Sequence, residues 1–431
     1  MPFIKTNPIS QMQEALLHYI WKNTLFERKE YLSDSAEKIV IVDPGVHNQN
    51  SGPDFTNAKI RINGTTWAGN VEIHLKSSDW NSHKHHTNPA YDNVILHVAQ
   101  NIDSDCYNSS KRKIPCISLI PDQRIINRYS QLVDSEELIS CHTSLIKLNR
   151  SIISFWLSAL AIERLQMKTD TIKDLLKLTR NSWEEAFYVI IFKSFGFNVN
   201  SLPFEMLAKC TQQSVLAKIC DNLLQIEALL FGQAGFLNDN SPDDYHQMLK
   251  NEYAFLKRKF QLKPIDKHLW KFLRLRPSNF PTIRMAQLCS LIHNSRSLFS
   301  NTLNCINPKQ IYSLYSCKVS NYWKKHYTFG KESPYRSKCL GENSIDSLII
   351  NTIVPFMFVY GEQKNNEELK TSAVNLLEQV HSENNKITRM WDRLNIKCRH
   401  AADSQALLQL TNFYCEQKHC LECQIGNLIL R

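Results

Sequence analysis

The hydrophobic period of this chain changes along its length, and these changes set the fold class. Apolar and polar residues alternate in Ala58-Lys59-Ile60-Arg61-Ile62 and again over residues 65–76. A period of two is typical of β-strands with one buried face, and Asn63-Gly64 between the two runs is a hairpin signal. From about Ser151 onward, apolar residues recur every three to four positions, which indicates helices.

These patterns predict an α+β protein in three parts. A helix over residues 10–27, a short strand, the hairpin and a buried strand at 94–98 form a small N-terminal mixed α/β sheet domain, residues 1–140. A large all-α domain follows over 141–395, and a Cys-rich segment occupies 396–431. The strongest helical patterns cover residues 152–167, 183–195, 216–231, 245–260, 345–360 and 367–380.

Composition excludes several classes of protein. Glycine supplies only 11 of 431 residues, and neither a dinucleotide-binding glycine motif nor a P-loop occurs. No apolar run reaches the roughly 18 residues that span a bilayer, and the N-terminus lacks the apolar core of a secretory signal. The 13 cysteines are odd in number and scattered, which argues against a disulfide framework. We therefore expect a cytoplasmic protein with no membrane segment.

The positive charge lies in the predicted helical domain. Residues 1–140 carry 14 basic and 16 acidic side chains, whereas residues 141–431 carry 37 and 25. A balance of +12 favours an anionic partner, with DNA or RNA as the leading candidate, and the alternative is charge that only maintains solubility.

The densest chemical cluster lies between His47 and His97. Along the second hairpin strand, Glu72, His74 and Lys76 are spaced two apart and share one face. Asp54 precedes the first hairpin strand and is expected near Glu72, where two carboxylates bind a divalent ion such as Mg²⁺ or Mn²⁺. The catalytic set is then Asp54, Glu72, His74 and Lys76, with His74 or Lys76 acting on the attacking water.

His97 joins Asp54 and Glu72 as a predicted ligand of the divalent metal, because it is the one polar side chain in an apolar strand. The alternative is that Glu72, His74 and Lys76 form the solvated face of an ordinary strand. Further acidic and histidine residues, which are types that bind metals, follow closely in the sequence, namely Asp79, His83, His85, His86 and Asp92.

The stretch from Pro53-Asp54 through the hairpin to Glu72 resembles the PD-(D/E)XK nuclease superfamily. The resemblance implies that Asp54 and Glu72 bind metal, within a core of helix, strand, hairpin, helix and strand. The family's lysine two residues after the second acid is replaced here by His74, while Lys76 shares the face.

The whole chain also resembles an uncharacterised bacterial family, domain of unknown function 2851, which implies no established activity. The segments that carry this resemblance are Gly52-Pro53-Asp54-Phe55, Gly69-Asn70-Val71-Glu72-Ile73-His74, Ser78-Asp79-Trp80, Phe231-Gly232-Gln233-Ala234-Gly235-Phe236, Leu273-Arg274-Leu275-Arg276-Pro277 and the terminal cysteines.

Cysteines group near the C-terminus. Cys415, Cys420 and Cys423 have the spacing of ligands for Zn²⁺ or an iron–sulfur cluster, with Cys398 as the predicted fourth ligand. His400 and His419 are alternative fourth ligands, and incidental clustering is the competing interpretation.

A basic and aromatic segment lies in the helical domain. Arg274, Arg276 and Arg284 are predicted to contact phosphates, and Phe280 to stack on a base. The alternative is a contact with the acidic N-terminal domain.

Taken together, the sequence predicts a metal-dependent nuclease or phosphodiesterase acting on nucleic acid. One alternative is a non-catalytic scaffold that binds nucleic acid or protein. A second is a His/Asp metal hydrolase of a small substrate, built around His74, His83 and His97.

Overall fold

A computed structural model describes residues 8–26, 30–239 and 241–431 of this chain. The chain divides into two compact units, Met1–Asn149 with Thr411–Arg431 (the sheet unit) and Arg150–Leu410 (the helical unit). The predicted mixed α/β sheet followed by a large helical region is confirmed. The division differs from the expected one at the C-terminus, because residues 411–431 belong to the sheet unit.

Among its described residues, the sheet unit has helix α1 (Pro8–Lys22) and then seven strands. They are β1 (Glu30–Leu32), β2 (Lys38–Asp43), β3 (Val46–His47), β4 (Phe55–Ile62), β5 (Thr65–Lys76), β6 (Val94–Asn101) and β7 (Cys116–Ser118). The described part of residues 77–149 also holds the α-helices α2 (Asp79–Ser82), α3 (Gln123–Val133) and α4 (His142–Leu145). A last helix, Gln424–Leu430, returns to this unit.

The strand order is β1-β2-β4-β5-β6-β7, and β3 pairs with the start of β4. The β4–β5 hairpin is confirmed: Asn63 and Gly64 both have positive φ, as a type I′ turn requires. Strand β6 runs parallel to β5, so residues 77–93 cross over between them. The register places Phe55 opposite Val71 and Glu72 opposite His97, which brings the polar cluster to one region of the sheet.

Helix α1 packs its apolar side onto the sheet. Leu17, Ile20 and Trp21 are fully buried against Phe55 and its neighbours in β4–β6, and each such side chain contributes roughly 1.5–3 kcal/mol on burial. The helix is shorter than the pattern predicts, because Thr24 adopts a positive φ of 51° and Leu25 N–H donates back to Ile20. The face of α1 that carries His18 is thereby fixed over the sheet.

The helical unit contains fifteen helices among its described residues. They are α5 (Arg150–Leu178), α6 (Trp183–Phe195), α7 (Phe197–Cys210), α8 (Gln213–Ala217), α9 (Leu223–Gln233), α10 (Asp244–Phe260), α11 (Pro281–Asn294), α12 (Leu298–Leu303), α13 (Pro308–Tyr315), α14 (Asn321–Lys325), α15 (Glu342–Leu348), α16 (Val354–Gln363), α17 (Glu367–Gln379), α18 (Lys386–Arg393) and α19 (Ala401–Gln409). A π-helical segment, Ile349–Ile353, joins α15 to α16, and β8 (His326–Thr328) pairs with β9 (Lys331–Glu332).

Two helical predictions show where the sequence pattern suffices and where it fails. The helix at Trp183–Phe195 has the predicted bounds, and Ser182 caps it by accepting from Glu185 N–H. The pattern over 216–231 is instead divided between α8 and α9, because Asn222 starts a new helix by accepting from Gln225 N–H.

One continuous helical stretch, Glu342–Gln363, is long and apolar enough to cross a membrane by length and composition alone. In the apolar window 78% of the residues are buried inside the protein, as in the core helix of a globular unit. The cytoplasmic location stays a prediction.

Candidate metal centre in the sheet unit

Asp54 and Glu72 are held side by side by the backbone of the hairpin. The Asp54 N–H donates to Glu72 Oε2 at 3.0 Å, and the Ile73 N–H donates to Asp54 Oδ2 at 2.9 Å. These bonds orient both carboxylates without any lysine or arginine, and the salt-bridge partners of Asp54 and Glu72 within the described chain are histidines.

Helix α1 adds two titratable groups that the sequence analysis did not assign. His18 Nε2 lies 3.2 Å from Asp54 Oδ2, and Glu14 is one helical turn earlier. Burial lowers the pKa of His18, but the hydrogen bond and charge of Asp54 outweigh it and raise the pKa. Burial raises the pKa of Glu14 to about 7, which the charge of His18 opposes and that of Asp54 reinforces. The only sequence signal was an acid and a histidine four apart on α1.

Glu72 has a more strongly raised pKa than Glu14. Its side chain is buried, with 4% of the residue exposed. Burial, followed by the negative charge of Asp54, raises the pKa of Glu72 to about 9. The ionised carboxylate therefore requires a cation in this position, or the group keeps its proton.

Three histidines lie on the other side of Glu72. The ligand nitrogens of His74, His83 and His85 all lie within 4.8 Å of one another, and His74 Nε2 is 3.1 Å from His83 Nδ1. Glu72 Oε1 is 3.2 Å from His85 Nε2 and 3.7 Å from His74 Nε2. Ligands around tetrahedral Zn²⁺ are about 3.3–3.4 Å apart, since metal–nitrogen bonds are 2.0–2.1 Å long. The spacing therefore suits one transition-metal ion.

A buried hydrogen-bond chain fixes the ring of His74. Cys106 Sγ donates to the Ser77 carbonyl at 3.3 Å, so the same sulfur accepts from His97 Nδ1 at 3.1 Å. His97 Nε2 then accepts from His74 Nδ1 at 2.9 Å. This pattern leaves the lone pair of His74 Nε2 pointing toward His83 and Glu72, which is the tautomer that a metal ligand needs.

Burial also keeps these rings neutral. It lowers the pKa of His74 to about 2, with further lowering by His97 and His83, and it lowers the pKa of His97 and of His85 to about 4. Neutral imidazole is the metal-binding form. A pKa near 2 makes His74 a poor general base near pH 7 and a suitable ligand.

Two other predicted residues of this cluster, Lys76 and His97, contact neighbours other than Asp54 and Glu72. Lys76 is at the exposed end of β5, where its N–H donates to Asp79 Oδ2. His97 is fully buried, and both of its ring nitrogens are used by His74 and Cys106. His97 therefore orients the His74 ring through the hydrogen bond to His74 Nδ1, in place of the direct metal contact that the sequence suggested.

The basic segment of the helical unit divides into exposed and buried residues. Arg274 and Arg276 are exposed, and Phe280 is partly buried against the ring of Phe272 at 5.1 Å. Arg284 is 7% exposed; burial lowers its pKa to about 10, and its guanidinium lies 4.3 Å from the Phe197 ring centroid. Its nitrogens donate to the side chains of Asn279, Gln287 and Ser344. Arg284 thus serves the packing of this unit.

Among the C-terminal cysteines, Cys398 lies in the helical unit, whereas Cys415, Cys420 and Cys423 belong to the sheet unit. Lys418, between Cys415 and Cys420, donates to Ser140 Oγ at 2.6 Å, which brings Cys141 to the same part of the sheet unit.

Comparison with known proteins identifies one relationship. No curated protein and no solved structure matches this chain. A family model described as "Protein of unknown function (DUF2851)" matches residues 14–386, a range that contains the whole carboxylate and histidine cluster and ends before Cys415. Because that match covers most of the 431 residues, the chain belongs to the DUF2851 family.

Proposed function

We propose that this protein is a metal-dependent phosphodiesterase that cleaves nucleic acid in its sheet unit. The observation that carries the proposal is the pair Asp54 and Glu72, whose carboxylates are oriented by two backbone hydrogen bonds and lack a permanent cationic partner among the described residues. A divalent ion would supply the missing charge, since Mg²⁺ and Mn²⁺ prefer carboxylate oxygens.

Such an ion would polarise a phosphoryl oxygen and lower the pKa of its bound water. Glu14 is the best-matched proton acceptor for that water, because its pKa of about 7 leaves it partly ionised at neutral pH. His18 would hold Asp54 in place from α1 through the contact between His18 Nε2 and Asp54 Oδ2. Lys76, which is exposed at the end of β5, would contact a phosphate of the substrate.

Two further observations support a nucleic-acid substrate. Residues 141–431 carry 12 more basic than acidic side chains, and Arg274 and Arg276 are exposed there. The resemblance of the sequence from Pro53-Asp54 to Glu72 to the PD-(D/E)XK nuclease superfamily also favours this substrate, because in that family the two acids bind metal.

The test is cleavage of labelled single- and double-stranded DNA and RNA by protein freed of metal and then supplied with Mg²⁺ or Mn²⁺. We expect cleavage that Asp54→Asn and Glu72→Gln each reduce by at least about 100-fold, because the metal contributes several kcal/mol to the transition state. Glu136→Gln changes an exposed acid of the same unit and is expected to keep full activity. Salt-dependent binding without cleavage would instead support a non-catalytic scaffold.

A second candidate function rests on the spacing of His74, His83 and His85. These nitrogens suit Zn²⁺ or a similar ion, and a hydrolase of a small substrate could use them with Glu72. In that case His83→Ala would remove a tightly bound transition metal and activity on a small phosphodiester, while Asp54→Asn would retain both. Elemental analysis of both variants beside the unmodified protein separates the two candidates.

A further inference from the structure

A polar cavity in the helical unit has a buried guanidinium on its wall. The cavity has a volume of about 480 Å³ and lies between the first turn of α11, residues 278–279 and residues 338–344. This volume falls within the roughly 300–1,000 Å³ that pockets for small molecules occupy. Hydroxyl and amide side chains line it beside Arg284, namely Ser278, Asn279, Gln287, Asn343 and Ser344.

The Arg284 side chain is held by residues of this wall. Its Nη1 donates to Gln287 Oε1 at 3.0 Å, and its Nη2 donates to Asn279 Oδ1 at 2.8 Å and to Ser344 Oγ at 3.2 Å. Its Nε is buried without a hydrogen-bond partner among the described residues. All three acceptors are neutral, so they fix the orientation of the guanidinium but leave its charge uncompensated.

The charge of Arg284 is costly where it lies. Only 7% of the residue is exposed, and burial lowers the pKa of Arg284 to about 10, with no acid of the described chain opposing that shift. Arg284 therefore stays charged at neutral pH. A buried charge without an opposite charge destabilises a protein, and a bound anion would remove that cost.

Lys338 adds a second cation to the same wall. Gln287, which accepts from Arg284, donates from Nε2 to the Lys338 carbonyl at 3.0 Å, so one amide joins the two basic residues. Lys338 Nζ donates to the His326 carbonyl at 2.7 Å, again a neutral acceptor. Lys338 also has a positive φ of 48°, a conformation that is unfavourable for a residue of this size. Such backbone strain clusters at functional sites.

The wall has a net positive charge. Glu342 is the one acid among the described residues that line the cavity, and it is exposed. Two cations against one exposed acid favour an anionic ligand. The oxygens of a phosphate accept hydrogen bonds from guanidinium, hydroxyl and amide groups, and all three kinds of donor line this cavity.

We propose that this cavity binds the phosphate group of a small phosphomonoester, with Arg284 as the main contact of the phosphate. The phosphate would supply the negative charge that Arg284 lacks, and the remaining volume would hold the organic part of the ligand. The site lies entirely in the helical unit and does not depend on the proposed nuclease activity.

The test is calorimetric titration of the full-length protein with inorganic phosphate, with adenosine 5′-monophosphate and with adenosine, in EDTA and at constant ionic strength. We expect the two phosphate compounds to bind with dissociation constants of about 1 mM or lower, and adenosine not to bind. EDTA keeps divalent metal out of the sheet unit, so the nuclease site does not contribute.

Asn279→Asp is the most informative variant, because it keeps the shape of the side chain and places a carboxylate at the atom that accepts from Arg284 Nη2. It should weaken binding of both phosphate compounds by at least about tenfold and raise the melting temperature measured without phosphate. Asn198→Asp adds the same charge at an exposed position of the helical unit and should bind as the unmodified protein does.

Three results would overturn the proposal. The first is no binding of either phosphate compound at about 10 mM. The second is equal binding by Asn279→Asp and the unmodified protein. The third is binding that Arg274→Gln, at an exposed position, weakens as much as Asn279→Asp does, which would indicate general attraction to the basic surface. None of these results bears on cleavage of nucleic acid, which is measured separately with metal present.

Discussion

Replacing Glu72 by glutamine should change how the stability of the sheet unit depends on pH when metal is absent. Burial and Asp54 raise the pKa of Glu72 to about 9 in the folded protein from its ordinary value of 4.5. Glutamine has the shape of the protonated acid, and its carbonyl oxygen can still accept the Asp54 N–H that Glu72 Oε2 accepts now.

The direction in which stability changes with pH follows from the number of protons that the folded and unfolded states bind. Between pH 4.5 and 9 the folded state keeps a proton on Glu72 that the unfolded state releases, so the unmodified protein loses stability as pH rises through this range. One proton corresponds to at most about 1.4 kcal/mol per pH unit. Between pH 6.5 and 8.5 the variant should therefore gain up to about 3 kcal/mol over the unmodified protein, or roughly 100-fold in the opening equilibrium.

On the acidic side, the stability of the same region falls as the pH is lowered. Burial lowers the pKa of His74 to about 2 and that of His97 to about 4, so their contribution to stability is lost as pH falls below about 6.5. This loss is expected in both proteins and does not contribute above pH 6.5. The comparison is therefore made on the alkaline side.

Hydrogen exchange measured by mass spectrometry on peptides from the centre of β5 reports the opening of this unit. Rates at pH 6.5, 7.5 and 8.5 in EDTA are corrected for intrinsic exchange. The ratio of protection in Glu72→Gln to that in the unmodified protein should rise by up to about tenfold per pH unit. Glu136→Gln, an exposed control, should give a constant ratio. A constant ratio in Glu72→Gln itself would refute the reasoning.

Three further predictions concern metal, packing and the basic segment. At pH 8, Mn²⁺ at 100 times its dissociation constant should slow hydrogen exchange in β5 about 100-fold, equivalent to about 2.7 kcal/mol. Asp54→Asn should abolish this effect, and equal protection by Mn²⁺ in the unmodified protein and in Asp54→Asn would exclude this site. Gly69→Ala should destabilise the sheet unit by about 1–3 kcal/mol in the same exchange assay, because the added Cβ would lie 2.4 Å from Ile95 Cγ2. An unchanged exchange rate would show that β6 can shift to accommodate the methyl group at little cost. Arg284→Lys should lower the melting temperature through lost buried hydrogen bonds, whereas exposed Arg274→Lys should not, and the reverse order would contradict their placement.

The neighbouring positions of Asp54 and Glu72 follow only in part from local sequence rules. The period of two and the turn at Asn63-Gly64 set the register of β4 against β5 from Ile62 back to Ala58, which pairs with Gly69. A β-bulge between Phe55 and Ala58, where Asn57 has a positive φ of 58°, then shifts the register by one residue, so that Phe55 pairs with Val71. The sequence therefore predicted that the two acids lie near each other, but it did not predict the bulge that sets their final contact.

The remaining contacts of the site arise from packing between distant segments. His18 contacts Asp54, and the charge of Asp54 acts on Glu14, because α1 lies across the sheet. No turn or period in the sequence specifies that placement. The bond from His74 to His97 depends on the parallel pairing of β5 with β6 across a long crossover. The same reason explains how Cys398, although near the terminal cysteines in sequence, comes to lie in the helical unit while Cys415, Cys420 and Cys423 lie in the sheet unit.

The most direct measurement of the central claim is anomalous X-ray scattering from Mn²⁺ in crystals of this protein. We predict a peak within bonding distance, about 2.0–2.6 Å, of both an Asp54 and a Glu72 carboxylate oxygen. A peak bound only by His74, His83 and His85, with the carboxylates of Asp54 and Glu72 unoccupied, would contradict the carboxylate metal site, as would crystals with no peak in the sheet unit.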